Sequence, residues 1–216
     1  METPEQKLAS ADVGDRLSAV SALREVPAER SVPLLVQAAQ DSNARVRYAA
    51  ISLLGQKEDT SVLELLRTTL KTDPEFDVRA AAAAALGDLH ERQAYEDLVE
   101  AYHRESEWLV RFSCVAALGE LGDPRAVDLL VEALAGDALV RTVAAGALGQ
   151  LGDPRAVPAL ITYLGDEDWQ LRFRIAQALG ELGGEQARAA LEKLAADPSE
   201  PVRSTASYAL AQLSEK

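Results

Sequence analysis

Seven arginines recur along the chain at nearly constant spacing, and most of them follow an acidic residue. They are Arg16, Arg47, Arg79, Arg111, Arg141, Arg172 and Arg203, at intervals of 31, 32, 32, 30, 31 and 31 residues. An acid stands six positions before five of them (Asp41, Asp73, Glu105, Asp166 and Asp197), and Asp137 stands four positions before Arg141. Guanidinium groups bind carboxylates bidentately, so the pattern predicts that each arginine bridges the loop carboxylates of its own repeat and the next one and so ties the stack together. The alternative function is an anion site for carboxylate-bearing ligands.

Two tryptophans occupy the same place in their repeats, three residues before the anchor arginine. Trp108 is followed four residues later by Phe112, and Trp169 by Phe173. Residues four apart share one face of a helix, so repeats four and six each present an aromatic wall. Repeat five has small residues at the equivalent positions, which predicts a flat slot between the walls. The structural alternative is that the tryptophans seal the loops between repeats.

The remaining candidates for chemistry are few. Arg174 stands where other repeats carry small residues on the apolar stripe, so we expect it to reach a carboxylate such as Asp168 or, with Arg141 and Arg172, to bind an anion. His90 and His103 lack partners at metal-ligand spacing, and no metal site is predicted. Cys114 lies on the apolar stripe and is interpreted as a buried structural thiol. No catalytic residue is identified.

The elements that position these side chains are pairs of helices, A and B. A leucine follows every anchor arginine by seven residues, and a glycine follows five of them by eight. Apolar residues one before and two, three, six and seven after the arginine predict the amphipathic helix B. Asp123-Pro124 and Asp153-Pro154 predict starts of helix A, and Gly122, Gly152 and Gly183 predict left-handed caps after helix B. A repeat of this length predicts an all-α array of seven hairpins in one domain, 1–216.

Positions one, four and five after the anchor arginine fall off this stripe and are almost uncharged. We therefore expect them to form the floor of a groove for a partner. With the two tryptophans, the predicted groove residues are Tyr48, Trp108, Phe112, Thr142, Gly146, Trp169, Phe173 and Gln177.

Composition narrows the choice of partner. The net charge of −13 and the pI of 4.6 disfavour nucleic acid and anionic membranes. No apolar run approaches the length of a membrane span, the first residues lack the features of a signal peptide, and a single cysteine cannot form an internal disulfide. The sequence favours a soluble cytoplasmic protein.

The motif VR-x2-AA-x2-ALG-x-LGDPRAV resembles the HEAT repeat of the phycobilin-lyase type. The segments NARVRYAA (43–50) and SEWLVRFSCVAALGELGDPRA (106–126) resemble cyanobacterial phycobilisome-degradation proteins, which are relatives of the bilin lyases. The resemblance implies a right-handed α-solenoid in which the A helices lie outside and the B helices line the concave side.

The resemblance also implies a function in handling phycobiliproteins or their bilins. The chain would assist phycobilisome degradation, or bilin detachment or transfer, with phycocyanobilin as a ligand rather than a resident cofactor. Phycobiliprotein subunits would then be its partners, and any enzymatic activity would be of the bilin-lyase kind. The alternative is a non-enzymatic scaffold that binds a partner helix in its groove.

Overall fold

The computed structural model describes residues 3–214, and every regular element in that range is helical. Contacts divide the chain into two compact units, 1–117 and 118–216. The first unit contains α1 (Pro4–Leu8), α2 (Val13–Ala22), α3 (Ala28–Ala38), α4 (Ala44–Gly55), α5 (Leu63–Thr72), α6 (Phe76–Asp88), α7 (Tyr95–Arg104) and the N-terminal part of α8 (Trp108–Leu121). The second contains the end of α8, then α9 (Val127–Ala133), α10 (Ala138–Leu151), α11 (Val157–Ile161), α12 (Trp169–Leu182), α13 (Gly184–Leu194) and α14 (Glu200–Ser214).

Within each unit the helices stack as hairpins. In the first unit α1 packs on α2, α3 on α4 and α5 on α6, while the B helices α2, α4 and α6 contact one another in series. In the second unit α9, α11 and α13 pack on α10, α12 and α14, and these three B helices again contact in series. The predicted all-α solenoid of HEAT-type hairpins is confirmed. Within residues 3–214, each helix is too short or too polar to cross a bilayer.

Capping side chains and a left-handed glycine set the ends of several helices, and those at Asp123 and Gly152 were predicted. Asn43 caps α4 and Asp168 caps α12 through side-chain oxygens that accept backbone N–H groups. Asp123 caps a short 3₁₀ turn at Pro124–Ala126, which leads into α9. Gly152, which ends α10, has a φ of 68° and a left-handed conformation, as predicted.

The glycine eight residues after the anchor arginine allows neighbouring B helices to approach closely. A Cβ atom on Gly55 would lie 2.8 Å from Cα of Ala85, and one on Gly149 would lie 2.8 Å from Cα of Ala178. Real Cβ atoms are almost never that close to another backbone. The glycine of one repeat therefore packs against the alanine of the next, where a larger residue would push the helices apart.

The buried arc of helix B differs from the predicted stripe. The position four after the arginine was expected to face solvent, but it is buried in six repeats, for example at Ile51 and Ala145. It lies one turn before the close-packed glycine, so the next B helix covers it. Its lack of charge follows from packing, and only positions one and five still offer an open surface. Ser207, in the last repeat, is exposed.

Candidate functional site

The anchor arginines make one recurring set of contacts, which the pair Arg47 and Asp73 illustrates. Nη1 of Arg47 donates to the carbonyl oxygens of Asp41 and Ser42, at 3.0 and 3.3 Å, and so closes the loop of its own repeat. Nε and Nη2 donate to the two carboxylate oxygens of Asp73 in the next repeat, at 2.7 and 2.9 Å. One guanidinium group thus holds its own loop and the following repeat.

The same joint recurs within both units. Pairs with the same geometry are Arg16–Asp41, Arg79–Glu105 and Arg172–Asp197. Arg141 binds Asp166 through Nη1 and Nη2 instead, at 3.0 and 3.2 Å, and its buried Nε lacks a hydrogen-bond partner. The loop before Arg141 is one residue shorter, which accounts for the changed orientation. The predicted ion-pair ladder is confirmed at these joints.

Two members of the predicted anion site are therefore already occupied. Arg172 and Asp197 are 8% and 7% exposed, and hydrogen bonds from Arg172 lower the pKa of the Asp197 carboxyl. Arg141 is similarly engaged with Asp166. Because both guanidinium groups already hold internal carboxylates, Arg174 is the accessible member of the predicted set.

The prediction that Arg174 lies on the buried stripe is wrong. Its side chain is exposed on α12, and Nη1 donates to Oε1 of Gln177 at 3.0 Å rather than to the predicted Asp168. The buried arc of helix B is rotated toward the following repeat, which leaves this position at its edge. No unfavourable burial of charge arises, and the guanidinium group remains available to an anion.

The predicted groove residues of the first unit are all exposed or half-buried. Trp108 is 46% exposed and meets half-buried Phe112 edge-to-face, with ring centroids 6.5 Å apart and planes at 78°. Tyr48, on α4, is 48% exposed and lines a cleft of about 440 Å³. Leu109 and Arg45, which the sequence did not single out, line the same cleft.

The predicted groove residues of the second unit lie on two helices in contact, α10 and α12. Thr142 and Gly146 are half-buried on α10, and Phe173 and Gln177 are half-buried on α12. Trp169, at the start of α12, is 45% exposed. An exposed indole, a phenyl ring and small neighbours thus share the free surface of this helix pair.

A second cleft, of about 620 Å³, lies between α12 and α14. Gln177, Glu181, Ser204 and Tyr208 are among its lining residues, and Tyr208 is 69% exposed. Partial desolvation raises the pKa of Glu181, against the opposing effect of the Arg174 charge. Sequence reasoning missed Glu181 because its place at the cleft depends on how α14 packs.

The groups with potential for covalent or metal chemistry are poorly placed for it. Cys114 is fully buried, and desolvation strongly raises the pKa of its thiol, so the thiolate nucleophile does not form near neutral pH. Among residues 3–214, no cluster of His, Cys, Asp and Glu is arranged to hold a metal ion. The surface of α12 offers instead aromatic and apolar contact from Trp169 and Phe173, together with the exposed guanidinium group of Arg174.

Stacked hairpins with exposed aromatic residues on their B helices define a helical-repeat protein, and the family follows from sequence. The HEAT repeats family matches residues 2–87, 63–145 and 135–211, so the chain belongs to the HEAT-repeat family. Among curated proteins, none matches this sequence.

Solved structures of HEAT-repeat proteins are similar to this chain over almost its whole length. Human deoxyhypusine hydroxylase in complex with glycerol is 27% identical with a TM-score of 0.52, covering 99% of this chain and 84% of that one. The complex of CpcE and CpcF of phycocyanin lyase from Nostoc sp. PCC7120 gives 23% identity and a TM-score of 0.65, covering 99% and 95%. Importin beta, at 15% identity and a TM-score of 0.70, covers 97% of this chain and 35% of its own. At these low identities the likeness concerns the fold.

Proposed function

We propose that this chain binds phycobiliprotein subunits, or the bilin they carry, through the free surface of its B helices, and so assists phycobilisome degradation or bilin detachment or transfer. The observation that carries the proposal is the exposure of Trp108 and Trp169, at 46% and 45% of their surface. Large aromatic side chains left open on a well-packed protein are typical of binding surfaces. A tryptophan that served only to seal a loop would be covered.

The chemistry of this surface suits a flat, conjugated ligand with carboxylate arms. On α12, the rings of Trp169 and Phe173 would stack against a linear tetrapyrrole, and small Gly146 on α10 leaves room beside them. Exposed Arg174 would bind a propionate group. The structural likeness to phycocyanin lyase CpcE and CpcF and the resemblance of residues 106–126 to phycobilisome-degradation proteins support this choice of partner.

The test is a titration of purified protein with phycocyanin and, separately, with free phycocyanobilin. We expect the visible absorption bands of the bilin to shift on binding and phycocyanin to co-elute in gel filtration. Because the contact rests mainly on apolar surface, binding should persist at high salt. Bilin bands that stay unmoved and uncleaved at a large excess of protein, together with separate elution of phycocyanin, would reject the proposal.

Substitutions on α12 locate the site. Trp169→Ala and Phe173→Ala should each weaken binding by about 30-fold, the loss typical of a central aromatic contact. Trp169→Phe is the matched control, because it keeps an aromatic ring and should retain most of the affinity. Circular dichroism of every variant separates lost binding from lost fold, and undiminished binding by both alanine variants would exclude this surface.

A non-enzymatic scaffold is the second candidate, favoured by the buried, protonated Cys114. In that case phycocyanin or another protein would insert a helix against the same aromatic residues, without any reaction at the bilin. Co-elution with phycocyanin and an unchanged bilin spectrum would favour this scaffold.

A further inference from the structure

Among the described residues, Arg203 is the last anchor arginine, and no carboxylate there binds its Nε and Nη2 edge. Nη1 of Arg203 donates to the carbonyl oxygens of Asp197 and Pro198, at 2.7 and 2.9 Å, as Nη1 of Arg47 does in its own loop. Nε and Nη2, which elsewhere bind the acid of the next repeat, make no ion pair within residues 3–214. The two hydrogen bonds of Nη1 hold the guanidinium group against its own loop, and the residue as a whole is half-buried.

The beginning of the ladder has the complementary arrangement. Ser10 replaces the acid six residues before Arg16, and its Oγ accepts the N–H of Asp12 at 3.1 Å. The acids at this position make the same backbone contact, for example Asp73 with the N–H of Glu75. Oγ of Ser10 also donates to the carboxylate of Asp15 at 2.8 Å. Asp15 thus brings a negative charge to the place where other repeats hold their acid, and within the described residues no cation pairs with it.

Packing at the two ends is open in the same complementary way. Ala22 stands six residues after its anchor arginine, where repeats three to seven also have an alanine, and it is exposed. Ala211 stands eight residues after its anchor arginine, where five repeats have a glycine, and it is exposed too. Leu210 is half-buried, whereas the equivalent leucine of every other repeat is at most 1% exposed.

We propose that the last repeat of one copy docks on the first repeat of a second copy, with Arg203 paired to the Asp15 carboxylate beside Ser10. The occupant is a second copy because its first repeat offers the charge that Arg203 lacks, in the setting that the ladder uses within each unit. Ala22 of that copy would meet Ala211. The contact is head-to-tail, so it propagates into oligomers unless the rotation closes a ring.

The test is sedimentation velocity of the full chain from about 10 μM to about 1 mM, a range that detects even weak association. Salt is held at 150 mM, because the net charge of −13 opposes association at low ionic strength. We expect the weight-average sedimentation coefficient to rise with concentration. A chain that stays monomeric throughout overturns the proposal.

Charge reversal identifies the contact. Arg203→Glu and Asp15→Arg should each weaken association by tenfold or more, since attraction becomes repulsion. An equimolar mixture of the two variants should associate again, because Glu at 203 meets Arg at 15. Arg92→Glu, an exposed residue of the first unit with the same change in charge, is the control and should associate like the unmodified chain. Association that survives both single reversals, or a mixture that stays monomeric, overturns the proposal, and melting curves confirm that each variant folds.

Discussion

Replacing Arg172 by methionine should destabilise the protein far more than the same replacement of Arg203. Both arginines hold two carbonyl oxygens of their own loop, but only Arg172 also neutralises a buried carboxylate, that of Asp197. Removing one member of a buried ion pair costs about 3 kcal/mol, because the other charge is left unpaired. Arg203→Met should cost about 1 kcal/mol, the value of its loop hydrogen bonds.

The measurement is urea unfolding followed by circular dichroism. With a slope of about 2 kcal/mol per molar urea, a loss of 3 kcal/mol lowers the midpoint by about 1.5 M, against about 0.5 M for Arg203→Met. The double replacement Arg172→Met with Asp197→Leu should recover part of the loss, since it removes the stranded charge. Equal midpoints for Arg172→Met and Arg203→Met would refute the claim that the joint between repeats six and seven stabilises the fold.

The stability that Arg172→Met loses should also depend on pH. The pKa of Asp197 is lowered in the folded state, so the pair contributes stability above the unfolded pKa of about 3.9 and loses it as pH falls through the lower folded value. The difference between Arg172→Met and the unmodified chain should therefore be full at pH 7 and shrink below about pH 4. A difference independent of pH would show that packing, rather than the ion pair, carries the effect.

Three further predictions concern single positions. Gly149→Ala should lower the free energy of unfolding by about 1–3 kcal/mol, because the added Cβ would collide with Ala178. Gly146→Ala, whose Cβ would meet nothing within 4 Å, should raise the free energy of unfolding by about 0.5–1 kcal/mol. Urea unfolding midpoints measure both, and equal shifts would contradict the close packing at Gly149. Glu181→Gln should raise the melting temperature at pH 7 but have no effect below about pH 3. The pKa of Glu181 is raised in the folded state, so ionisation of its carboxyl opposes folding, and glutamine removes that charge. A lower melting temperature of the variant at pH 7 would contradict this prediction. Cys114 should react with a thiol reagent only as fast as the protein unfolds, and rapid labelling of the native state would contradict the burial of its thiol.

The repeat itself was readable from sequence because it depends on local signals. The leucine after each anchor arginine, the Asp123-Pro124 pair and the left-handed Gly152 specify helices and their ends within a few residues of chain. The ladder was also predictable in kind, because an arginine and an acid recur together. The bond from each arginine to the acid of the following repeat was predicted, but in its own loop Arg47 binds backbone carbonyl oxygens rather than the predicted carboxylate.

The predictions of burial were wrong where packing against a neighbouring repeat determines whether a side chain is buried. Ile51 looked solvent-facing because the stripe was derived from one hairpin, yet it is buried where α4 packs on α6, the next B helix. The same rotation brings Arg174 to the surface, although its place in the pattern suggested the core. A single-helix pattern reports the contact with the partner helix of the hairpin and carries no information about lateral stacking.

The uniformity of the arginine joint has a consequence for the history of the chain. The junction of repeats two and three uses the same donor and acceptor atoms as that of repeats six and seven. If unequal crossing-over duplicated or removed a unit of about 31 residues, the two repeats brought together would therefore still form the same arginine–carboxylate joint. Descendants of one ancestral gene should vary in length by whole units, and lengths that change by a few residues should cluster in the turns.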